Sequence, residues 1–370
     1  MNGGDIADFP LFDAYPPLGR ALPRTPLGHW PTPITPATRF AAEMGWQALN
    51  IKREDRSHPV CGGNKLRGLE FLLADVLRKR CRVIVTFGAA GSHHVARTAW
   101  HAADHGIRTI ALVVRQPMAA YVRRNIALAL SAGADVRLVN PLTFAPRLAW
   151  AYCSPSHWRG SRPPAVILPG GTTPLACVGH VNAAFELRQQ VRDGAIAEPD
   201  YLFVPLGSLG TAAGLLLGLK LAGLRTRVVG VVTSYAWFAT AARVARLARR
   251  TLALLQRVAP AVPNVPLAAG DLDVIGTSLG AGYAHFTPES IRLAERLRAL
   301  DGVELDGTYG AKTLAGAVEF VRQRELQDRQ LLFWHTYAAA QPGSDSRPHP
   351  GGSLGKFLAQ PDQPLAQRPE

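Results

Sequence analysis

Tyr201-Leu202-Phe203-Val204-Pro205-Leu206-Gly207-Ser208-Leu209-Gly210-Thr211-Ala212-Ala213-Gly214 runs from an apolar stretch through a glycine-rich turn into small residues. That order reads as a buried strand, a tight turn and a helix. Such a turn aims backbone N–H groups and hydroxyls at an anion, at the positive end of the helix dipole. Glycines at 207, 210 and 214 do not match the G-x-G-x-x-G dinucleotide spacing. No Gly-Lys-Ser/Thr follows, which excludes a Walker A loop. The loop suits a single phosphate group. Taken alone, it suits a βα turn without ligand equally well.

Outward from this unit, short β-rich runs alternate with longer helical ones, the pattern of an α/β fold with mostly parallel sheets. Strands are predicted over 48–52, 82–87, 108–114, 135–139, 165–168, 201–206, 228–233 and 331–334. Helices are predicted over 66–78, 92–105, 118–132, 175–191, 211–222, 237–258, 289–299 and 312–324. Thr287-Pro288-Glu289 supplies a capping hydroxyl, a first-turn proline and an early acid for one of them. Residues 153–164, rich in Ser, Arg and Pro, read as a loop or lobe boundary, and the Pro/Gln/Ser/Gly-rich stretch beyond 341 as a disordered tail.

The chain's 370 residues are enough for two lobes, and 47% hydrophobic against 18% charged residues is a globular balance. No apolar run approaches the roughly 20 residues that cross a bilayer, and the proline-rich start lacks a secretory pattern. A cytoplasmic protein is the simplest expectation. The four cysteines show no C-x-x-C pairing, so neither a zinc site nor a disulfide framework is predicted. The formal charge of +14 is mostly arginine spread along helices, which fits solvated faces that attract small anions better than a nucleic-acid surface.

Six lysines exist, at 52, 65, 79, 220, 312 and 356. Lys65 stands apart because it closes Gly62-Gly63-Asn64-Lys65 directly before an amphipathic helix. The glycines allow close backbone approach to a ring, and a helix start favours a neutral, nucleophilic amine. On these four residues alone an ordinary helix-start lysine is the better reading. Gly88-Ala89-Ala90-Gly91-Ser92-His93-His94 forms a second strand–turn–helix unit suited to a carboxylate, with Ser92 equally placed as a helix cap. His94, His101 and His105 share a helix face but lack acidic or cysteine partners, so they read as packing or solvent-facing histidines and no metal is expected. Tyr283 and Tyr309 sit in glycine-bearing loops from which a phenol can move protons, although a loop tyrosine more often packs. Thr336 follows the strand at 331–334, at the carboxyl edge where α/β sheets bind ligands.

In this order the features resemble one family. Lys52-Arg53-Glu54-Asp55, Gly62-Gly63-Asn64-Lys65 and Leu66-Arg67-Gly68-Leu69-Glu70 look like the 1-aminocyclopropane-1-carboxylate deaminase and D-cysteine desulfhydrase family. So do Leu168-Pro169-Gly170-Gly171, Gly179-His180-Val181-Asn182-Ala183-Ala184, the 207–211 loop, the Tyr309 segment and Phe333-Trp334-His335-Thr336. These enzymes belong to the tryptophan-synthase-β-like (fold type II) pyridoxal-phosphate group, and the resemblance spans about 45 to 340.

The resemblance implies a two-domain, three-layer fold. Residues 1–65 and 165–340 would form a large cofactor domain and 66–164 a small α/β domain, in a homodimer. It implies pyridoxal 5'-phosphate held by Lys65 as a Schiff base. Asn64 would lie near the ring, with Gly207, Ser208, Leu209, Gly210 and Thr211 on the phosphate and Thr336 on the pyridine nitrogen. Ser92 and the following amides of His93 and His94 would take the substrate carboxylate, and Tyr283 and Tyr309 would assist proton transfer. The implied activity is α,β-elimination or deamination of a small amino acid, as in D-cysteine desulfhydration. Cyclopropane ring opening, β-substitution, racemisation, or cofactor binding without turnover are the alternatives. Three departures bear on the choice: His93 replaces an asparagine expected at the cofactor's phenolic oxygen, Gly310 replaces an acid, and Tyr337-Ala338 replace glycines.

Overall fold

A computed structural model describes residues 9–154, 162–338 and 350–363. The chain begins with α1 (Pro10–Ala14), α2 (Pro16–Ala21), β1 (Ile34–Pro36), α3 (Thr38–Glu43), β2 (Ala48–Arg53) and α4 (Lys65–Arg78). There follow β3 (Val83–Ala89), α5 (His93–Asp104), β4 (Arg108–Val114), α6 (Ala120–Ser131), β5 (Asp135–Val139), α7 (Pro141–Cys153) and β6 (Ala165–Ile167). The next part holds α8 (Pro174–Arg192), β7 (Tyr201–Leu206), α9 (Gly210–Ala222), β8 (Arg227–Val232), α10 (Ala241–Val258) and β9 (Leu272–Ile275). Last come α11 (Pro288–Asp301), α12 (Gly310–Gln323), β10 (Gln330–His335) and α13 (Gly352–Leu358).

Two sheets result, in the orders β1-β2-β10-β7-β8-β9 and β5-β4-β3-β6. Every pairing is parallel except that of β1 with β2. Parallel sheets need both faces covered, and the large sheet obeys this by period-2 alternation. Leu202, Val204 and Leu206 of β7 face one buried cluster with α8, α9 and α10, while Phe203 faces another with α3, α11 and α12. The helix layer is dense at the α8–α9 crossing: a Cβ on Gly214 would lie 2.4 Å from His180 Cβ. The fold is therefore α/β with helices on both faces of mostly parallel sheets.

The differences from the sequence reading have physical causes. β1 and β9 are short edge strands of weak pattern. α7 contains Pro146, whose missing N–H hides a helix from a propensity reading. α10 starts at Ala241 and not 237, because Thr240 caps it through the Arg243 N–H. β6 pairs with β3, so residues 165–167, expected with the large domain, lie in the four-stranded sheet. α4, expected in the small domain, packs on α8 of the large one. Residues 350–363, expected to be disordered, include α13, whose Leu354 and Phe357 are buried against the small sheet's helices. Most of the loop expected at 153–164, and residues 341–349 and 364–370 of the expected tail, lie outside the described residues.

Candidate active site

The 207–211 loop follows β7, Ser92 follows β3, Thr336 follows β10 and Lys65 opens α4, so the two lobes bring all four to one cleft. The cavity there measures about 590 Å³. Asn64, Lys65, Ser92, His93, His94, Gly207, Ser208, Leu209, Thr211, Tyr283, Tyr309 and Thr336 all line it. Gly210 lies in a small recess behind Lys65, beside Cys177 and His180.

Lys65 Nζ sits 3.0 Å from Ser208 Oγ and 3.4 Å from the Gly170 carbonyl, with no carboxylate on it. Burial lowers its pKa to about 8, opposed weakly by Cys177. That gives a substantial neutral fraction near physiological pH. Asn64 Nδ2 donates to Thr211 Oγ1 at 2.8 Å, and the Asn64 N–H reaches the Thr336 carbonyl at 3.3 Å. The lysine turn is thus tied to both the glycine loop and the end of β10.

The glycine loop has the form of an oxyanion cradle. Leu209 adopts a left-handed conformation at φ 72°, a strained state for a branched residue. The N–H groups of residues 208 to 212 donate to no described acceptor, which leaves a cluster of donors at the start of α9. Gly170 packs so closely beneath that an added Cβ would stand 2.4 Å from Ser208 Cβ. A dianionic phosphate fits this donor set, and a neutral amine next to it fits an aldehyde.

Tyr309 stands on a rigid base. Asp306 accepts from the N–H groups of Thr308, Tyr309 and Gly310 at 3.1, 2.8 and 2.9 Å. Tyr309 and Tyr283 hydroxyls lie 2.9 Å apart. Burial raises the pKa of both, so both remain protonated at neutral pH. Lys312 donates to the carbonyls of Leu279 and Gly282 at 2.7 Å each, anchoring the loop that carries Tyr283.

Ser92 caps α5 through the Val95 N–H at 3.4 Å, the plainer of its two expected roles, while still facing the cavity. The N–H groups of His93 and His94 donate to no described acceptor. His94 Nε2 is 3.3 Å from Thr86 Oγ1, and burial drops its pKa to about 3. His101 Nε2 faces the Cys61 carbonyl at 3.2 Å and drops to about 4 for the same reason. Both are neutral packing histidines.

His93 is held by residues the sequence reading missed. Arg97 Nη1 donates to its Nδ1 at 3.2 Å, and Asn125 Nδ2 approaches the same atom at 3.1 Å. A guanidinium cannot accept, so Nδ1 is the acceptor and the proton resides on Nε2. Burial, then Arg97 and Lys65, hold the ring's pKa well below its ordinary value. Among the described residues lining the cavity, His93 Nε2 is the one buried side-chain atom without a partner. Arg97 is one helical turn from His93, a weak cue. Asn125 comes from α6 and gave none.

Tyr337 also lines the cavity, 5.0 Å from the His93 ring by centroids. The charged motif residues around Lys65 have a different task. Arg67 bridges Glu54 at 2.6 Å and Glu186 at 2.8 Å, with Lys52 3.7 Å from Glu186, all buried. Glu70 accepts from Trp30 Nε1 at 2.8 Å and from the Leu27 N–H at 3.0 Å. They fix α4 rather than face the cavity.

A two-lobed α/β cleft with a half-buried lysine beside a donor-rich glycine loop defines a class, the fold type II pyridoxal-phosphate enzymes. The family model for pyridoxal-phosphate dependent enzymes matches residues 25–336, and the chain belongs to that family. Its cofactor is pyridoxal phosphate. The chain is 36% identical over 338 residues to a nocardicin C-9' epimerase of Nocardia uniformis subsp. tsuyamanensis, covering 89% of this chain and 97% of that one. It is 32% identical to a D-cysteine desulfhydrase of Klebsiella pneumoniae (strain 342), covering 86% and 94%. The solved structure of an ACC deaminase homologue superposes with a TM-score of 0.74 at 26% identity, covering 92% and 96%. Among the described residues no helix is long and apolar enough to cross a membrane.

Proposed function

We propose that this enzyme removes the α-proton of an amino acid and expels its β-substituent, releasing a keto acid and ammonia as a D-cysteine desulfhydrase does. The observation that carries this is Lys65 Nζ, half-buried, 3.0 Å from Ser208 of a donor-rich loop whose Gly207 borders Tyr309. One loop thereby sets an amine and a phenol beside a single bound molecule.

Pyridoxal phosphate, when bound, supplies an electron sink for the charge left at Cα. The loop residues Gly207 to Thr211 would hold its phosphate, Thr336 would meet the ring nitrogen, and His93 Nε2–H would donate to an oxygen of cofactor or substrate. The amides of His93 and His94 with Ser92 receive the substrate carboxylate. Neutral Lys65 takes the α-proton. The Cβ–S bond then breaks with its electron pair on sulfur, and the protonated Tyr283–Tyr309 pair supplies the proton that the leaving sulfide takes up. Water then converts the released enamine to pyruvate and ammonia.

A second reading, inversion at Cα, is favoured by the similarity to the epimerase. There the tyrosine pair would return a proton to Cα on the face opposite the one Lys65 deprotonates. D- and L-cysteine, serine and alanine, assayed for pyruvate, ammonia and inversion, separate the two. Pyruvate from D-cysteine supports elimination, and inversion without pyruvate supports the second reading. A cofactor-loaded protein that does neither, while losing no α-proton to solvent deuterium, contradicts both. A homodimer acting in the cytoplasm belongs to the same reading, and light scattering of the loaded protein tests the dimer.

A further inference from the structure

The cavity continues past the groups that chemistry on cysteine would use. The anion-binding turn begins where β3 ends at Ala89, yet Phe87 and Leu112 also line the cavity, two residues back from the ends of β3 and β4. Two residues of strand correspond to about 7 Å. Phe87 pairs with Leu112 and Ala89 with Val114, so period-2 alternation sets all four on one face of the small sheet. The element over that face is α7, which buries Ala151 alone. Its Phe144 meets Phe87 at 5.3 Å between ring centroids and also lines the cavity.

Phe87, Leu112, Val114, Phe144 and Leu168 make this wall apolar, and Arg115, which also lines the cavity, has its guanidinium 5.3 Å from the Phe357 ring. Val114 is 39% exposed, and Leu168, which lines the same cavity, is 47% exposed. Keeping apolar surface open to water costs free energy that a ligand's apolar arm recovers on binding. A polar arm laid along those apolar side chains would instead lose hydration without gaining hydrogen bonds from them. The small side chain of cysteine or serine cannot occupy such a space.

We propose that the substrate is an amino acid bearing a large apolar arm, which lies between the β3–β4 face and α7 while its Cα sits at Lys65. This rests on the proposed chemistry at Lys65. In the eliminating reading the arm departs with the β-substituent, and in the inverting reading it is retained.

The test compares cysteine, serine and alanine with phenylalanine, homophenylalanine and S-benzylcysteine, each as both enantiomers. Exchange of the α-proton with solvent deuterium is followed on the cofactor-loaded protein by mass spectrometry, and binding by calorimetry. The expected result is a kcat/KM for exchange at least about tenfold higher for an aryl-bearing compound. Its binding should also show a more negative heat-capacity change. Val114→Trp, which fills the mouth of the apolar end, should lower the aryl-to-small ratio about tenfold. Equal or faster exchange with the small amino acids, or a ratio unmoved by Val114→Trp, overturns the inference and leaves the chemistry at Lys65 standing. Absence of exchange with every compound overturns both.

Discussion

Arg97 Nη1 lies 3.2 Å from His93 Nδ1, so an obligate donor fixes the tautomer of a histidine in the active-site wall. His93 should therefore be neutral at pH 6, with its proton on Nε2. Nitrogen chemical shifts of the labelled imidazole check this, and an imidazolium signal at pH 6 would count against it. In Arg97→Met the constraint is relaxed, and the ring should titrate closer to its ordinary range.

A lysine that titrates near 8 dictates how the cofactor loads. The neutral amine attacks the aldehyde, so the rate of colour development on adding pyridoxal phosphate to cofactor-free protein should rise about tenfold per unit up to pH 8 and then level. An ordinary lysine would give a rate still rising at pH 10. Stopped-flow absorbance across pH 6 to 10 distinguishes the two.

Gly170 has φ +67° and no room for a Cβ beside Ser208. Gly170→Ala should push Ser208 out of the cradle and weaken cofactor affinity by roughly tenfold or more, about 1.4 kcal/mol. Absorbance titration measures it. A Kd unchanged from the parent protein would show that the loop does not depend on this contact.

The buried histidines make stability fall on acidification. His94 and His101 hold pKa values of about 3 and about 4 in the folded state, below the ordinary 6.5 of an unfolded chain. Their contribution is complete above pH 6.5 and is lost as pH drops towards 4, because only the unfolded chain takes up the protons. The slope is roughly 1 kcal/mol per pH unit for each ring. Urea midpoints at pH 7, 6 and 5 should decline steadily, and a flat profile would contradict it.

Arg67 is buried between Glu54 and Glu186, 13 and 119 residues away in sequence. Arg67→Met leaves buried Glu54 without its arginine and Glu186 with Lys52 alone, and should cost about 3–5 kcal/mol. Denaturant unfolding measures that loss, and a cost below about 1 kcal/mol would show the cluster to be solvated.

These residues also mark what the sequence can and cannot show. β7 and the turn after it were legible because a strand buried on both faces is continuously apolar and the turn needs glycine. Tyr283, Tyr309 and Thr336 were placed by resemblance, and the structure brings them to the cleft with Lys65. Arg67 and Glu54 read as family motif, but their joint use of Glu186 depends on packing over 119 residues. The α13 helix was hidden because Leu354 and Phe357 stand among Gly, Ser and Pro, and only the small lobe's cluster gives them a place to bury. Asn125 reaches His93 from a separate helix, beyond any local pattern.

The central claim is that Lys65 carries the cofactor. Loading the protein with pyridoxal phosphate, reducing it with borohydride and mapping its peptides tests this directly. A pyridoxyl group on Lys65 in the parent protein and loss of visible absorbance in Lys65→Ala are the expected results. A label on another lysine, or undiminished absorbance in the variant, would contradict it.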